Sequence, residues 1–380
     1  MKIREVQAVG LHGATPEGGW DYELRPDDCV HTIVAVVTDE GMIGYGSAFT
    51  GVEQVRAALK VLEPLLLGEV ALEPERVSEK LHQNTFWLGR GGTITHAISA
   101  IDIALWDILG KATGQSIGRL LGGRYRDRVR PYASILMREP EALAEHLQSL
   151  LPLGFRAFKL GWGPFGRQST QLDEQIIRRA RETVGESAHI MVDAGGSAAF
   201  WPHGYKWALH TAEMLSHHGV AWFEEPLKPD AIEDYALLRE HALIPIAGGE
   251  VLTRRQSFIP WLQGRAVDII QPDVTKVGGI SEERRIAWMA QDNGVRMIPH
   301  GWNTALGLAA DLQLASAFHD TDFVEYLTGS HYIDDISADR WRLDEDGMLA
   351  IPDGPGLGFD LDFEALLQFT RGEKLPQMTG

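Results

Sequence analysis

Eight short apolar stretches recur through the middle of this chain, and each stops at or near a residue with chemical capacity. They span 131–137, 155–161, 189–195, 220–226, 244–250, 267–273, 295–301 and 323–329, repeating about every 23 to 34 residues. At or near their ends stand Lys159, Asp193, Glu224, Glu225, Glu250, Asp273, His300 and Glu325. Helical patterns fill the gaps, at 141–151, 171–184, 206–217, 231–241, 254–263, 281–293 and 304–318. Alternating strands and helices imply a parallel sheet. Eight strands at this spacing predict a closed barrel. An open doubly wound sheet would offer a Gly-rich phosphate loop after its first strand, and the chain has none. A (β/α) barrel builds its active site where its strands stop. The charged residues therefore describe one polar pocket with room for a metal.

The first ~125 residues follow a different plan. Residues 3–11 and 31–38 alternate like strands, and 43–47 continues a hairpin across Asp39-Glu40-Gly41. Helical patterns follow at 52–67, 74–83 and 95–112, the last with Ile98, Ile101, Ala104, Leu105 and Ile108 on one face. Between the first two strands lies a Gly-, Pro- and acid-rich loop, 13–28, long enough to suggest function. The expected division is an α+β capping domain at 1–125, a barrel at 126–330 and a segment at 331–380 that returns to the cap. Residues 341–355 read as a hairpin or loop.

Composition narrows the partners. Formal charge is −18 at pH 7 and no Lys/Arg-rich run stands out, which argues against nucleic acid and anionic membrane. An anionic substrate stays open, because a metal and a Lys can reverse the field within one pocket. The single cysteine, Cys29, excludes an intrachain disulfide and fits a reducing cytoplasm. The amino terminus alternates like a strand and lacks the apolar core of a signal peptide. No uninterrupted apolar run reaches the roughly 18 residues of a membrane span. The expected setting is cytoplasmic.

Asp193, Glu224 and Glu250 close three successive strands, so their carboxylates should converge. Alone they would repel one another and raise their pKa values. A divalent cation removes that penalty, and all-oxygen ligands select Mg²⁺, or Mn²⁺, over Zn²⁺. Alternation puts Glu224 and Glu225 on opposite faces, so one of the two binds. His300 ends the strand after that of Asp273. A carboxylate beside an imidazole fixes its tautomer and raises its basicity, which suits proton transfer. Lys159 can hold a substrate carboxylate or act as a base. Glu325 can donate a hydrogen bond to a developing enolate, or pair with Lys159.

Together these residues resemble the enolase superfamily. The matching motifs are Val192-Asp193, Phe223-Glu224-Glu225-Pro226, Ala247-Gly248-Gly249-Glu250, the run from Gln271 through Pro272-Asp273 to Gly278-Gly279, and Pro299-His300-Gly301. Ala104-Leu105-Trp106-Asp107 and Gly122-Gly123 resemble the family's N-terminal cap. The resemblance implies a modified (β/α)7β barrel of TIM type, capped by an N-terminal α+β domain that the C-terminal segment completes. It implies Mg²⁺ on Asp193, Glu224 and Glu250, and abstraction of the proton α to a carboxylate. A Lys or His base working with Mg²⁺ is the pattern of this superfamily, which is itself a standard illustration of the chemistry. A His/Asp dyad on the sixth and seventh strands resembles the mandelate racemase subgroup, most of whose members are acid-sugar dehydratases. Glu325 maps onto their last-strand carboxylate.

Two departures matter. The second strand usually ends Lys-x-Lys, its second Lys a base; here it reads Lys159-Leu160-Gly161. A racemase needs bases on both faces of the α-carbon, whereas dehydration needs one base and one acid, and His300 can serve as both. Where the family often has Asn two residues after the first metal Asp, this chain has Gly195. The expectation is therefore an Mg²⁺-dependent dehydratase of an aldonate or aldarate, giving a 2-keto-3-deoxy acid. The alternatives are a racemase or epimerase of a 2-hydroxy acid, a non-catalytic binding member of the fold, and a metal-dependent hydrolase, whose ligand sets are richer in His. Substrate contacts are expected from cap loops and strand ends, at Trp20, Arg90, Trp302, Asn303 and His331, with Tyr22, Trp87, Trp201 and His203 nearby. By resemblance the assembly is a dimer or octamer.

Overall fold

The computed structural model describes residues 1–18, 24–197, 201–339 and 341–379. The chain opens with three antiparallel strands, β1 (Ile3–Gly10), β2 (Thr32–Thr38) and β3 (Ile43–Ala48), paired in that order. Gly41, at φ 83°, makes the tight turn between β2 and β3. Helices Val52–Leu66 and Thr93–Thr113 pack on this sheet, and Pro74–Thr85 packs on those two helices. Thr93–Thr113 has the length and apolarity of a membrane span, but 78% of its apolar window is buried within the protein. Its spacing predicted one buried face; it is buried nearly all round. One side packs on β2 and β3, and another packs on the barrel helix Gly279–Asp292.

Eight parallel strands then follow: β4 (Arg128–Leu136), β5 (Ala157–Gly161), β6 (His189–Asp193), β7 (Phe223–Glu224), β8 (Ile246–Gly248), β9 (Ile269–Ile270), β10 (Arg296–Met297) and β11 (Phe323–Leu327). Each of the first seven is followed by a helix, and the hydrogen-bonded order runs β10-β9-β8-β7-β6-β5-β4-β11. Between β10 and β11 the ring is bridged by Thr321 Oγ1 donating to Met297 O (2.9 Å) and Gly301 N donating to Glu325 Oε2 (2.8 Å). This is a modified TIM barrel with an N-terminal cap. From β7 to β10 the ladders last only two or three residues, shorter than the apolar runs. The backbone turns to positive φ at Glu225 (42°) and Gly249 (119°), just where the loaded residues begin.

The interior is filled by Tyr132, Ala157, Met191, Trp222, Ala247, Ile269, Ile298 and Phe323, one from each strand or its flank. This packed belt closes the lower barrel and supports what lies above it. After β11, among the described residues, come a short helix, His331–Asp334, and then β12 (Leu349–Ala350), antiparallel to β4. The tail runs back to the cap: His12 N donates to Phe369 O (2.9 Å), and Leu357 N to Asp107 Oδ1 (3.1 Å).

Cap and barrel are joined through Asp102 of Thr93–Thr113. Its fully buried carboxylate accepts from Ser281 N (2.9 Å) and Ser281 Oγ (2.5 Å), in the first turn of Gly279–Asp292. Trp106 Nε1 donates to the same Ser281 Oγ (2.9 Å). Removing the acceptor strands two buried donors at a helix N-terminus. Asp102→Ala is expected to lower unfolding stability by about 2–3 kcal/mol in a urea titration.

Candidate functional site

Successive inward side chains on a strand lie two residues apart. Two residues beyond each member of the packed belt come Ser134, Lys159, Asp193, Glu224, Gly249, Gln271, His300 and Glu325. A single step of the strand period thus turns an apolar plug into a polar layer at the C-terminal mouth. Glu250 reaches the same layer although it falls one residue out of phase. Gly249, at φ 119°, turns the chain and delivers it.

Carboxylate oxygens of Asp193, Glu224 and Glu250 all lie within 4.8 Å of one another. A compact set of hard oxygen donors fits a divalent cation such as Mg²⁺. Burial first, then the neighbouring Glu224 charge, pushes the Asp193 carboxyl well above the ordinary range. Glu224 accepts from Lys159 Nζ (2.6 Å), Trp222 Nε1 (3.0 Å) and Gln271 Nε2 (2.8 Å). Glu225 lies outside this trio; its carboxyl is pushed up by burial and by Glu250.

Lys159 is enclosed by acids. Its ammonium sits 2.6 Å from Glu224 Oε1, 3.1 Å from Glu325 Oε1 and 3.4 Å from Asp193 Oδ2, with the Tyr132 ring 5.6 Å away. Burial alone would lower its pKa, but Glu224 and Glu325 outweigh it and hold the ammonium charged. Glu325 takes up Lys159 and also Gly301 N. Burial would raise its carboxyl; Lys159 and His300 bring it down to about 2.

On the other side of the mouth, His300 Nδ1 stands 2.8 Å from Asp273 Oδ2. Asp273 Oδ1 is held by Thr275 N (2.8 Å) and Thr275 Oγ1 (2.6 Å). Burial would raise the Asp273 carboxyl, but Lys276 and His300 keep it well below the usual range. An ionised Asp273 at Nδ1 leaves Nε2 as the nitrogen facing the mouth, 3.2 Å from Glu250 Oε2 and 4.0 Å from Glu325 Oε2. Burial would lower the His300 pKa; Glu250 and Glu325 raise it above 6.5. One mouth therefore holds a carboxylate trio and an oriented imidazole.

The expected substrate contacts fall in different places. Trp302 is half-buried, 5.9 Å from the Phe49 ring, and a Cβ on Gly18 would stand 3.2 Å from its indole. Asn303 is buried, and its Oδ1 is 3.0 Å from Thr275 Oγ1, so it supports the dyad from behind. His331 points outward, 61% exposed and 2.6 Å from Asp335 Oδ2. Arg90 is exposed, and its carbonyl accepts from Thr253 Oγ1 (3.2 Å), near Glu250. Trp20 and Tyr22 lie outside the described residues.

The glycines of the two departures differ: the structure requires glycine at 195 and leaves room for a side chain at 161. A Cβ at Gly161 would lie 3.6 Å from Asp193 Oδ2, so this position looks onto the trio with bare backbone. Gly195 has φ 65°, and any side chain there would collide with the indole of Trp162. Sequence reading missed Gln271 and Lys276 as site residues. Gln271 was findable, because it precedes Asp273 by one strand period. Lys276 lies three residues past Asp273 in a loop, and no periodicity marks it. Its ammonium is 3.5 Å from Asp273 Oδ2, 3.7 Å from Glu250 Oε1 and 4.5 Å from the Phe49 ring centroid.

With this geometry in hand, the comparisons are coherent. Residues 28–122 match the family described as mandelate racemase / muconate lactonizing enzyme, N-terminal domain, and residues 142–366 match the enolase C-terminal domain-like family. The chain belongs to the enolase superfamily, in its mandelate racemase subgroup. It is 33% identical to D-galactarolactone cycloisomerase of Agrobacterium fabrum, over 97% of this chain and 99% of that protein. It is 34% identical to arabinonate dehydratase of Saccharolobus solfataricus, over 86% of this chain and 87% of that one. The crystal structure of 3,6-anhydro-D-galactonate cycloisomerase from Zobellia galactanivorans superposes with a TM-score of 0.86 at 28% identity, covering 97% and 99% of the two chains.

Two measurements test the charge balance of the site. Lys159→Met leaves Glu224, Glu325 and Asp193 without their cation, and should cost about 3–5 kcal/mol in the metal-free protein. The Asp193 pKa is raised on folding, so its ionised form opposes folding, and that opposition grows as pH rises from the unfolded value through the folded one. The loss should accordingly be larger at pH 8 than at pH 5. Mg²⁺ should raise the melting temperature of the wild-type protein, and EDTA should reverse the rise.

Proposed function

We propose that this chain is an Mg²⁺-dependent dehydratase of a sugar acid, an aldonate or aldarate, yielding a 2-keto-3-deoxy acid. The observation that carries the reading is the Asp273–His300 dyad, whose Nε2 faces the same mouth as the carboxylate trio. The name of the arabinonate dehydratase relative agrees with it. Residues 1–125 act as the cap, 126–330 supply the catalytic barrel and 331–380 return to the cap.

Asp193, Glu224 and Glu250 would hold Mg²⁺, with Mn²⁺ an acceptable substitute. When bound, the ion supplies positive charge that stabilises an enediolate. His300 removes the C2 proton at Nε2 while Asp273 fixes the opposite nitrogen. The same imidazolium then protonates the departing C3 hydroxyl. Lys159 sets the field at the carboxylate end, and Glu325 holds Lys159 beside the Gly301 amide. Gly161 offers no base across the barrel from His300, so inversion at C2 is disfavoured.

A second reading has its own support. Two relatives bear the names of cycloisomerases acting on a lactone and an anhydro acid, so ring-containing sugar acids belong among the candidate substrates. The test is a screen of open-chain sugar acids, lactones and anhydro acids with Mg²⁺, scored by semicarbazide for 2-keto products. Keto acid from an open-chain acid, abolished by His300→Asn, supports dehydration. Turnover of ring-containing acids alone favours the second reading, and no product from any sugar acid contradicts both.

The pH dependence follows from His300. A base must be neutral, and its pKa is raised above 6.5 by surrounding acids. kcat/KM should therefore fall as pH drops and the imidazole takes up a proton. Asp273→Asn removes one of those acids and the orienting bond, moving the acid limb to lower pH and cutting kcat on the order of 10²–10⁴-fold.

A further inference from the structure

Lys276 is a buried cation at the mouth to which the mechanism above gives no task. It follows β9, and His300 follows the neighbouring β10, so both approach from one side of the barrel. Both reach the same oxygen, Asp273 Oδ2, at 3.5 Å for Lys276 Nζ and 2.8 Å for His300 Nδ1. Both also approach Glu250, at 3.7 Å from Nζ and 3.2 Å from Nε2. Lys276, Asp273, His300 and Glu250 thus close a ring in which each side chain neighbours the next. A carbon whose proton faces Nε2 therefore has an ammonium beside it on the same face.

The other mouth cation cannot serve this role. Lys159 is committed to three carboxylates at 2.6, 3.1 and 3.4 Å. The two contacts of Lys276 are longer than the roughly 2.7–2.9 Å of a charge-assisted hydrogen bond, and an ammonium has three donors. Phe49, from the end of the cap sheet, lies over it at 4.5 Å and shields it from bulk water. A hydrogen bond made there to a departing oxygen is strengthened by the low local dielectric.

We propose that Lys276 holds the departing C3 hydroxyl on the His300 side of the substrate. This rests on the dehydratase reading. His300 takes the C2 proton, and the C–H electron pair enters the enediolate. That pair then forms the C2=C3 bond as the C3–O bond breaks, and the His300 proton goes to the leaving oxygen, releasing water. The resulting enol tautomerises to the 2-keto acid. Throughout, Lys276 donates a hydrogen bond to the C3 oxygen, aligning it for departure and for protonation from the same face.

The test measures two events on one substrate in D₂O: deuterium entering C2 of recovered sugar acid, and keto acid formed. In Lys276→Met the ratio of elimination to exchange should fall about 100-fold, the size of losing one preorganised donor. Lys276→Arg, which keeps a cationic donor, should recover most of that ratio. A Lys276 that only supports the dyad would slow both events together, and an unchanged ratio in Lys276→Met overturns the proposal. So does an Arg variant as defective as the Met variant. Surviving exchange in Lys276→Met itself proves that the variant folds. Failure of the dehydratase reading shows separately, in wild-type protein that exchanges C2 deuterium without ever losing water, and it removes the Lys276 role as well.

Discussion

The mouth of this barrel depends on one buried ammonium. Lys159 is the counter-charge for Glu224, Glu325 and Asp193, three acids that the fold brings within 3.4 Å of it. Without it, carboxylates from three strands would face each other with little water to screen them, a cost of several kcal/mol per ion. Its own strand places it: Lys159 stands one period above Ala157 in the packed belt. The protein thus tolerates an acid cluster in its core, and an acid cluster is what a hard divalent ion requires.

The same arrangement separates two halves of the chemistry. On the β5–β7 side the charges are balanced by a fixed cation, and Glu224 is further held by hydrogen bonds from Trp222 and Gln271. On the β9–β10 side Asp273 holds His300 by one nitrogen and leaves the other facing the mouth. These halves lie across the ring from each other, joined by Glu250 between them. At Gly161 and Gly195 the face opposite His300 carries no side chain, and Trp162 packs against Gly195 there. That asymmetry supports the elimination proposed above over racemisation.

Most of this was legible in the sequence because a strand's period is two. Apolar runs ending in Lys159, Asp193, Glu224, His300 and Glu325 announce both the barrel and the residues of its mouth. Glu250 was legible only as a strand-end acid; its place in the site needs the turn at Gly249, which periodicity does not encode. Asn303 and His331 show the opposite failure. Both lie near strand ends, yet one turns inward to Thr275 and the other outward to Asp335. Lys276 was invisible for a related reason: it enters from a loop, and its partners, Glu250 and Phe49, come from a different barrel strand and from the cap. Strand positions can be read from a pattern; loop side chains are placed by neighbours distant in sequence.

The most direct test is a crystal structure with Mg²⁺ and a sugar hydroxamate, which mimics the enediolate. The account predicts the ion on Asp193, Glu224 and Glu250, with the carbon equivalent to C2 facing His300 Nε2. An ion bound by other residues, or a mimic whose C2 equivalent faces away from His300, would contradict it.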